Sequence, residues 1–274
     1  MKQVLVGVPC HRDEPGVARA VESLAASARS VPDASVRIVV CINGDRPGDS
    51  PAATALARST VRCTTRTLDT ASKPAAWNLL RAGAADIHVF ADADISVHET
   101  ALPALLRALE SNDAVAATGA QEHVGQGLVA RVARVPHRLD WGGLLGTLYA
   151  VRSDALPNEM PADLILDDAW LFGRLGAEHV VQVPEAVATV HLPTRWRDLW
   201  RQRVRAERGK QQLAAFGVPL ANRPRGASAK TAWRAYPPTE WPFVAALAAV
   251  KLAAATRAKF GEPKWDLAAS TKPQ

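Results

Sequence analysis

Residues Asp86–Ser96 read DIHVFADADIS. A short apolar run, Ile87–Ala91, stops abruptly at Asp92-Ala93-Asp94. A run of this length and composition predicts a strand buried on both faces. Side chains alternate along an extended chain, so Asp92 and Asp94 point one way and Ala93 the other. Two carboxylates this close repel, and each raises the other's proton affinity unless a cation lies between them. Mg²⁺ and Mn²⁺ prefer oxygen ligands, often one or two carboxylates plus substrate phosphates. In open α/β sheets, ligands bind beyond the carboxyl ends of the strands, where this pair lies. Asp92 and Asp94 are therefore candidates for a metal–diphosphate site. A solvated turn with two acids capping the next helix is the other account of the same residues.

The flanking sequence fixes the fold class. Gln3–Val8 is a β-branched strand expected to stop at Pro9. Asp13, Glu14 and Pro15 suit a helix start, and Val17, Val21, Leu24, Ala25 and Ala28 follow as a helical stripe. Val36–Ile42 is a second strand, broken by the turn Asn43-Gly44-Asp45. Ala52–Arg58 follows as a helix, Val61–Thr65 as a strand, and Ser72–Ala84 as a helix capped by Ser72 with Ala76, Leu79, Leu80 and Gly83 on one side. After Asp86–Ala91 come a helix at Thr100–Leu109 and a strand at Ala114–Thr118. Repeated βα units imply an α/β fold with a doubly wound, mostly parallel sheet flanked by helices. No Gly-x-Gly-x-x-Gly follows the first strand, and no Gly-x-x-x-x-Gly-Lys-Ser/Thr loop is present. Both absences argue against dinucleotide enzymes and P-loop NTPases.

A chain of 274 residues, 48% hydrophobic and 22% charged, has ample core for one large or two small domains. The net charge of +6 favours an anionic partner. Cys10, Cys41 and Cys63 lie in or beside apolar runs, are odd in number and lack zinc-site spacing, so free thiols in a reducing cytoplasm are expected. No signal peptide is expected, nor any apolar stretch of the ~18 residues that span a bilayer.

The second half is less regular. Trp141-Gly142-Gly143 precedes the apolar run Leu144–Val151, and Gly143 either lets the backbone approach a ligand closely or forms a bend. In Leu164–Gly176, LILDDAWLFGRLG, Asp167 and Asp168 open a helical pattern. The helix dipole favours acids in a first turn, and a carboxylate at a pocket edge is equally a candidate general base. His179–Val183 reads as a strand broken by Pro184-Glu185 and resumed at Ala186–Val190, ahead of His191. His191 is either a hydrogen-bonded structural residue or a metal ligand. Arg195–Lys210 is a basic amphipathic helix compatible with nucleic acid, anionic lipid or diphosphate. Val218–Pro238 is a proline-rich arm, and Trp241–Phe260 an alanine-rich accessory helix suited to the core, a second subunit or a membrane surface.

The order of these segments resembles family 2 glycosyltransferases, which have the GT-A fold and invert the anomeric centre. Six segments carry the resemblance between Gln3 and Gly209. VPCHRDE at Val8–Glu14 is similar to the family's opening Pro-x-Tyr-Asn-Glu, with His11 for the aromatic and Arg12 for Asn. VVCINGD at Val39–Asp45 is similar to its second-strand turn, with Ile42 where an acid is common. SKPAAWN at Ser72–Asn78 resembles Gly-Lys-x-x-x-x-Asn, and FADAD at Phe90–Asp94 resembles the Asp-x-Asp stretch. LDDAWLFGRL at Leu166–Leu175 resembles the Glu-Asp segment that carries the base, and QRVRAERG at Gln202–Gly209 the Gln-x-x-Arg-Trp motif with Ala206 for Trp.

The resemblance implies a nucleoside diphosphate sugar donor, an acceptor hydroxyl, Mn²⁺ or Mg²⁺, and no nucleic-acid partner. Pro9, His11, Glu14, Asn43, Lys73 and Asn78 would surround the nucleotide sugar, with Gly143 beside it. Asp92 would face ribose or metal, and Asp94 the metal, helped by His191. Asp168, rather than Asp167, would be the general base, and Arg203 and Arg205 could reach the diphosphate. The missing Trp favours a single addition to a small or lipid-linked acceptor. The expected domains are a catalytic domain over residues 1–216 and an arm with an accessory helix over 217–274, acting in the cytoplasm or at the inner face of the membrane, with peripheral membrane contact or homodimerisation through the accessory helix. A sugar-phosphate nucleotidyltransferase and a non-catalytic nucleotide-sugar or anion-binding protein are the alternatives. The first would normally show a Gly-rich opening loop with following Arg and Lys, which VPCHRDEP lacks.

Overall fold

The computed structural model describes residues 1–44, 50–111, 113–138, 146–219 and 236–260. Asp45, Gly143 and most of the proline-rich arm lie outside these residues. The chain forms two compact units, one of Met1–Glu122 with Leu145–Val190 and one of His123–Leu144 with His191–Gln274. These units divide the chain differently from the expected 216/217 boundary, because the basic helix packs with the C-terminal one.

The first unit is built on a sheet of order β3-β2-β1-β4-β7-β6-β8-β5. Its strands are β1 (Lys2–His11), β2 (Ala34–Asn43), β3 (Thr64–Leu68), β4 (Ile87–Ala91), β5 (Ser96–Val97), β6 (Ala116–Val124), β7 (Leu148–Arg152) and β8 (Val180–His191). β1, β2, β3 and β4 pair in parallel. β7 runs antiparallel to β4 and to β6, and β5 antiparallel to β8. All five residues of β4 are buried, as its composition requires.

The helices of this unit are α1 (Val17–Arg29), α2 (Pro51–Arg58), α3 (Lys73–Arg81), α4 (Ala101–Ser111) and α6 (Asp167–Leu175). Val4, Val6 and Val8 of β1 share a core with Val17, Val21 and Leu24 of α1 and Leu102 and Leu105 of α4. The other face of β1 meets α3, where a Cβ on Gly7 would lie 3.2 Å from Leu80 Cβ and 3.3 Å from Phe90 Cδ1. Ser50 and Ser72 cap α2 and α3, accepting from Ala53 N and Ala75 N.

Two prolines expected to end strands do not. β1 continues through Pro9 to His11, because its pairing with β4 ends at Gly7 and the missing N–H falls beyond that ladder. β8 continues through Pro184, which is exposed. Trp77, not Leu79, is on the buried side of α3.

The second unit contains α5 (Gly127–Arg134), a 3₁₀ turn at Val135–Arg138, α7 (Trp196–Ala215) and α8 (Trp241–Ala258). Val129, Val132, Val135, Leu199, Tyr236 and Leu247 form its core. The Tyr236 hydroxyl donates to Val135 O at 2.7 Å, and the Arg131 guanidinium lies 4.1 Å from the Phe243 ring centre. By length and composition, Pro238–Ala258 is apolar enough to cross a membrane. This corrects the expectation that no stretch reaches that length: Glu240, Lys251 and Arg257 are its only charged residues.

Candidate active site

The site is assembled where β4 ends and α6 begins. After β4, Ala93, Ile95 and Val97 are buried while Asp92, Asp94 and Ser96 are partly open, so the two acids share a face as the pleat requires. Because β7 is antiparallel to β4, its start lies beside the end of β4. Asp92 N donates to Thr147 O at 3.0 Å, extending that pairing past the strand. Gln121 of β6 donates to Thr147 Oγ1.

Lys73 joins the two acidic segments. Its Nζ lies 2.8 Å from Asp92 Oδ1 and 2.9 Å from Asp167 Oδ2. Burial alone would lower the Lys73 pKa, but Asp167, Asp92 and Asp168 hold it well above the ordinary lysine range. Burial pushes the Asp92 carboxyl up to about 6, with Lys73 opposing and Asp94 adding to the rise. Asp168 is also raised, first by burial and then by Asp167.

The two aspartates of α6 have different surroundings. Asp167 is buried and ion-paired to Lys73. Asp168 Oδ1 accepts from Ala169 N at 2.8 Å, and its carboxylate also takes a backbone hydrogen bond from Gly146. A Cβ at Gly146 would fall 2.0 Å from Asp168 Cβ and 2.6 Å from Asp168 Oδ2. Glycine at this position is what leaves room for Asp168. Gly146→Ala is expected to displace the carboxylate and lower turnover by about 10²-fold while donor affinity holds, since small misplacements cost that much. Steady-state kinetics with a donor-binding titration checks it, and near-normal turnover would refute the positioning role.

Beneath the acids runs a column of aromatic rings. Trp77 of α3 stacks on Phe90 of β4 at 5.0 Å, Phe90 on Tyr149 of β7 at 5.3 Å, and Phe172 of α6 meets Tyr149 edge-on at 5.5 Å. Trp77 Nε1 donates to the Tyr149 hydroxyl at 3.0 Å. The four elements that carry Lys73, Asp92, Gly146 and Asp168 are thereby fixed to one another. Sequence reasoning missed Trp77, Tyr149, Phe172 and Gly146; the one available signal was an aromatic in each of these segments.

The other expected site residues divide into two groups. Pro9 and His11 close β1, and His11 Nδ1 accepts from Asp13 N at 3.2 Å. Glu14 is buried and accepts from Gly16 N at 2.9 Å, shaping the turn into α1. Asn43 is buried and donates to Cys10 O at 2.9 Å, which ties the ends of β1 and β2 together. The Asn78 amide clamps Met160, donating to its carbonyl and accepting from its N–H, each at 2.8 Å. That geometry makes Asn78 a support for the loop ahead of α6. His191 ends β8, and Arg203 and Arg205 lie on α7; all three belong to the second unit.

Among the described residues, no three His, Cys, Asp or Glu side chains stand close enough to hold a metal ion. Asp92 and Asp94 supply hard oxygen donors of the kind completed by substrate phosphates. None of the three cysteines is in a disulfide, and Cys10 and Cys41 are buried.

Residues 5–150 match the family described as Glycosyl transferase family 2, which covers the segments that carry Lys73, Asp92 and Asp94. The chain belongs to this family. It is a glycosyltransferase with the GT-A fold. Among solved structures, it is similar to the mannosyltransferase PcManGT from Pyrobaculum calidifontis in complex with GDP-Man and Mn²⁺, with 17% identity over 94% of this chain and 87% of that one and a TM-score of 0.65. The glucosyl-3-phosphoglycerate synthase from Mycobacterium tuberculosis, in complex with Mn²⁺, UDP and phosphoglyceric acid, is 19% identical over 80% of each chain, with a TM-score of 0.52. S. aureus TarS is 12% identical over 94% of this chain and 55% of its own, with a TM-score of 0.52. No curated protein matches the chain. At these identities, the structural likenesses establish the shared fold.

Proposed function

We propose that this glycosyltransferase moves a sugar from a nucleoside diphosphate sugar to an acceptor hydroxyl with inversion, in a single addition to a small or lipid-linked acceptor. The observation that carries the reading is the Lys73 bridge between Asp92 and Asp167, which sets the Asp-x-Asp stretch against the acidic start of α6. Asp168 takes the proton from the acceptor oxygen as that oxygen attacks the anomeric carbon, opposite the departing diphosphate. One such displacement inverts the configuration. Asp167 and Lys73 neutralise each other and hold α6 in place. Asp94, with Asp92 beside it, would hold Mn²⁺ or Mg²⁺ together with the donor diphosphate. A bound cation offsets negative charge on the diphosphate as a Lewis acid. The raised pKa of Asp92, to which Asp94 contributes, supports a cation at this pair.

Thermal-shift titration of a nucleoside diphosphate panel with and without Mn²⁺ tests the donor and metal together. One nucleotide should stabilise the wild type only with Mn²⁺, by about 2.7 kcal/mol at a hundredfold Kd. Asp94→Asn should lose that metal dependence. Equal nucleotide affinity in Asp94→Asn with Mn²⁺ and with chelator would refute the site. NMR of the anomeric product reports inversion.

The same reading places the enzyme in the cytoplasm, with peripheral contact at the membrane through α8. Free thiols support the first part, and the exposure of Trp241, Leu252 and Phe260 supports the second. Leu252→Glu should weaken co-sedimentation with anionic vesicles without lowering Tm. Equal sedimentation of wild type and variant would remove the membrane contact.

A further inference from the structure

Two adjacent residues ahead of β7 serve both acidic segments. Thr147 O accepts from Asp92 N at 3.0 Å, one step beyond the last β4–β7 pair, Ala91 with Leu148. Gly146 N–H bonds the Asp168 carboxylate, and a Cβ at Gly146 would fall 2.0 Å from Asp168 Cβ. Any shift of Gly146-Thr147 is therefore felt at Asp92 and at Asp168 together. The pairing of β7 with β6 stops short of these residues, running from Ala116 with Val151 to Thr118 with Tyr149. Gly119 already lies against β8, where a Cβ would fall 2.3 Å from Ala186 O.

Gln121 makes the link that the ladder does not. It follows Gly119 on β6, and its Nε2 donates to Thr147 Oγ1 in a partly buried contact. β7 lies between β6 and β4 in the sheet, so the hydroxyl of Thr147 is held from the β6 side and its carbonyl from the β4 side. A carboxamide is a neutral donor. It pins the hydroxyl without disturbing the charge balance among Lys73, Asp92 and Asp167.

We propose that Gln121 is a positioning residue of this glycosyltransferase: by anchoring the Thr147 hydroxyl, it keeps Gly146 against Asp168 and Thr147 against Asp92. Gln121 acts through Thr147 and touches neither donor nor acceptor in this role. Its effect on turnover rests on Asp168 as the base. A displacement of about 1 Å at such a group costs about 10²-fold in rate.

The test follows the Asp168 carboxyl by carbon-13 NMR across pH in the full chain without ligands, with Asp168→Asn assigning the resonance. The Gly146 N–H favours the carboxylate, so loss of the anchor should raise the Asp168 pKa above its wild-type value. Asp167 and Lys73, the charged groups that act on Asp168, are the same in every variant used. Gln121→Leu and Thr147→Val should each show that rise. Each should also lower kcat about ten- to hundredfold with the donor KM nearly constant, as a misplaced group does. The double variant should be no less active than the less active single, because the two side chains form one contact. Thr147→Ser keeps the hydroxyl and should recover most of the loss. An Asp168 pKa that stays at the wild-type value in both single variants overturns the proposal, even where Tm falls. So do single effects that multiply in the double variant, or a Thr147→Ser as impaired as Thr147→Val. If Asp168→Asn remains active, the base assignment fails while the NMR shift still reports the anchor. If Asp168→Asn is inactive and the shift is absent, the base assignment stands and the anchor fails.

Discussion

Asp168→Asn is expected to lower turnover by about 10²–10⁴-fold with donor affinity unchanged, the range for loss of a general base. The amide keeps the size of the side chain and its place against Gly146, but it cannot take a proton. Asp167→Asn is the necessary companion. Asp167 is ion-paired to Lys73 and buried, so its loss should show in Tm and in the placement of α6 more than in the chemical step. A helix-capping role for Asp168 predicts something else, about 0.5–2 kcal/mol of stability and nearly intact chemistry. If Asp168→Asn melts lower yet turns over within a fewfold of wild type, the base lies elsewhere. If Asp167→Asn is the inactive variant instead, the base is one residue earlier. The pH profile is an independent check. The raised Asp168 pKa means that its basic form is lost, as pH falls, at a higher pH than for an ordinary carboxylate near ~3.9. The acid limb of kcat/KM should therefore lie above that range in wild type.

Lys73→Met should cost about 1–3 kcal/mol of stability and most of the activity. The variant leaves Asp92 and Asp167 facing each other with no cation between them. Breaking a buried pair costs about 3–5 kcal/mol, and the figure here is smaller because Asp92 retains a 30% exposed side chain. The methionine fills the same space, so the loss reports charge rather than a cavity. Lys73 has a folded-state pKa above its unfolded value. Its stabilising effect is thus fully present below the unfolded pKa and is lost as pH rises through the folded one, beyond the ordinary lysine range. At neutral pH, chemical denaturation of the two proteins should show the full difference. Mn²⁺ should recover part of the lost Tm if the acid pair takes the cation, because the ion then replaces one missing counter-charge. Wild-type stability and turnover in Lys73→Met would show that the bridge does not organise the site.

The acid pair was legible from sequence because a strand alternates its side chains with a period of two. The burial of Ala93 and Ile95, alternating with the partly open Asp92 and Asp94, is that same alternation, seen in three dimensions. The Ser72 cap and the apolar spacing after it likewise located α3. Pro9 misled, because a proline ends a strand only where its missing N–H faces a partner, and the β4 partner stops short at Gly7. Which strands become neighbours is a long-range choice that no local pattern records. The antiparallel seating of β7 against β4 is such a choice, and it brings Gly146 and Thr147 to Asp92. So is the bridge from Lys73 to Asp92 and Asp167, which lie 19 and 94 residues further along the chain. The sequence by itself determined the α/β class, the acid-tipped central strand and the types of group available for chemistry. Only the tertiary structure decided which acid is neutralised by Lys73 and which is left against a glycine, because charge pairing depends on distance through space.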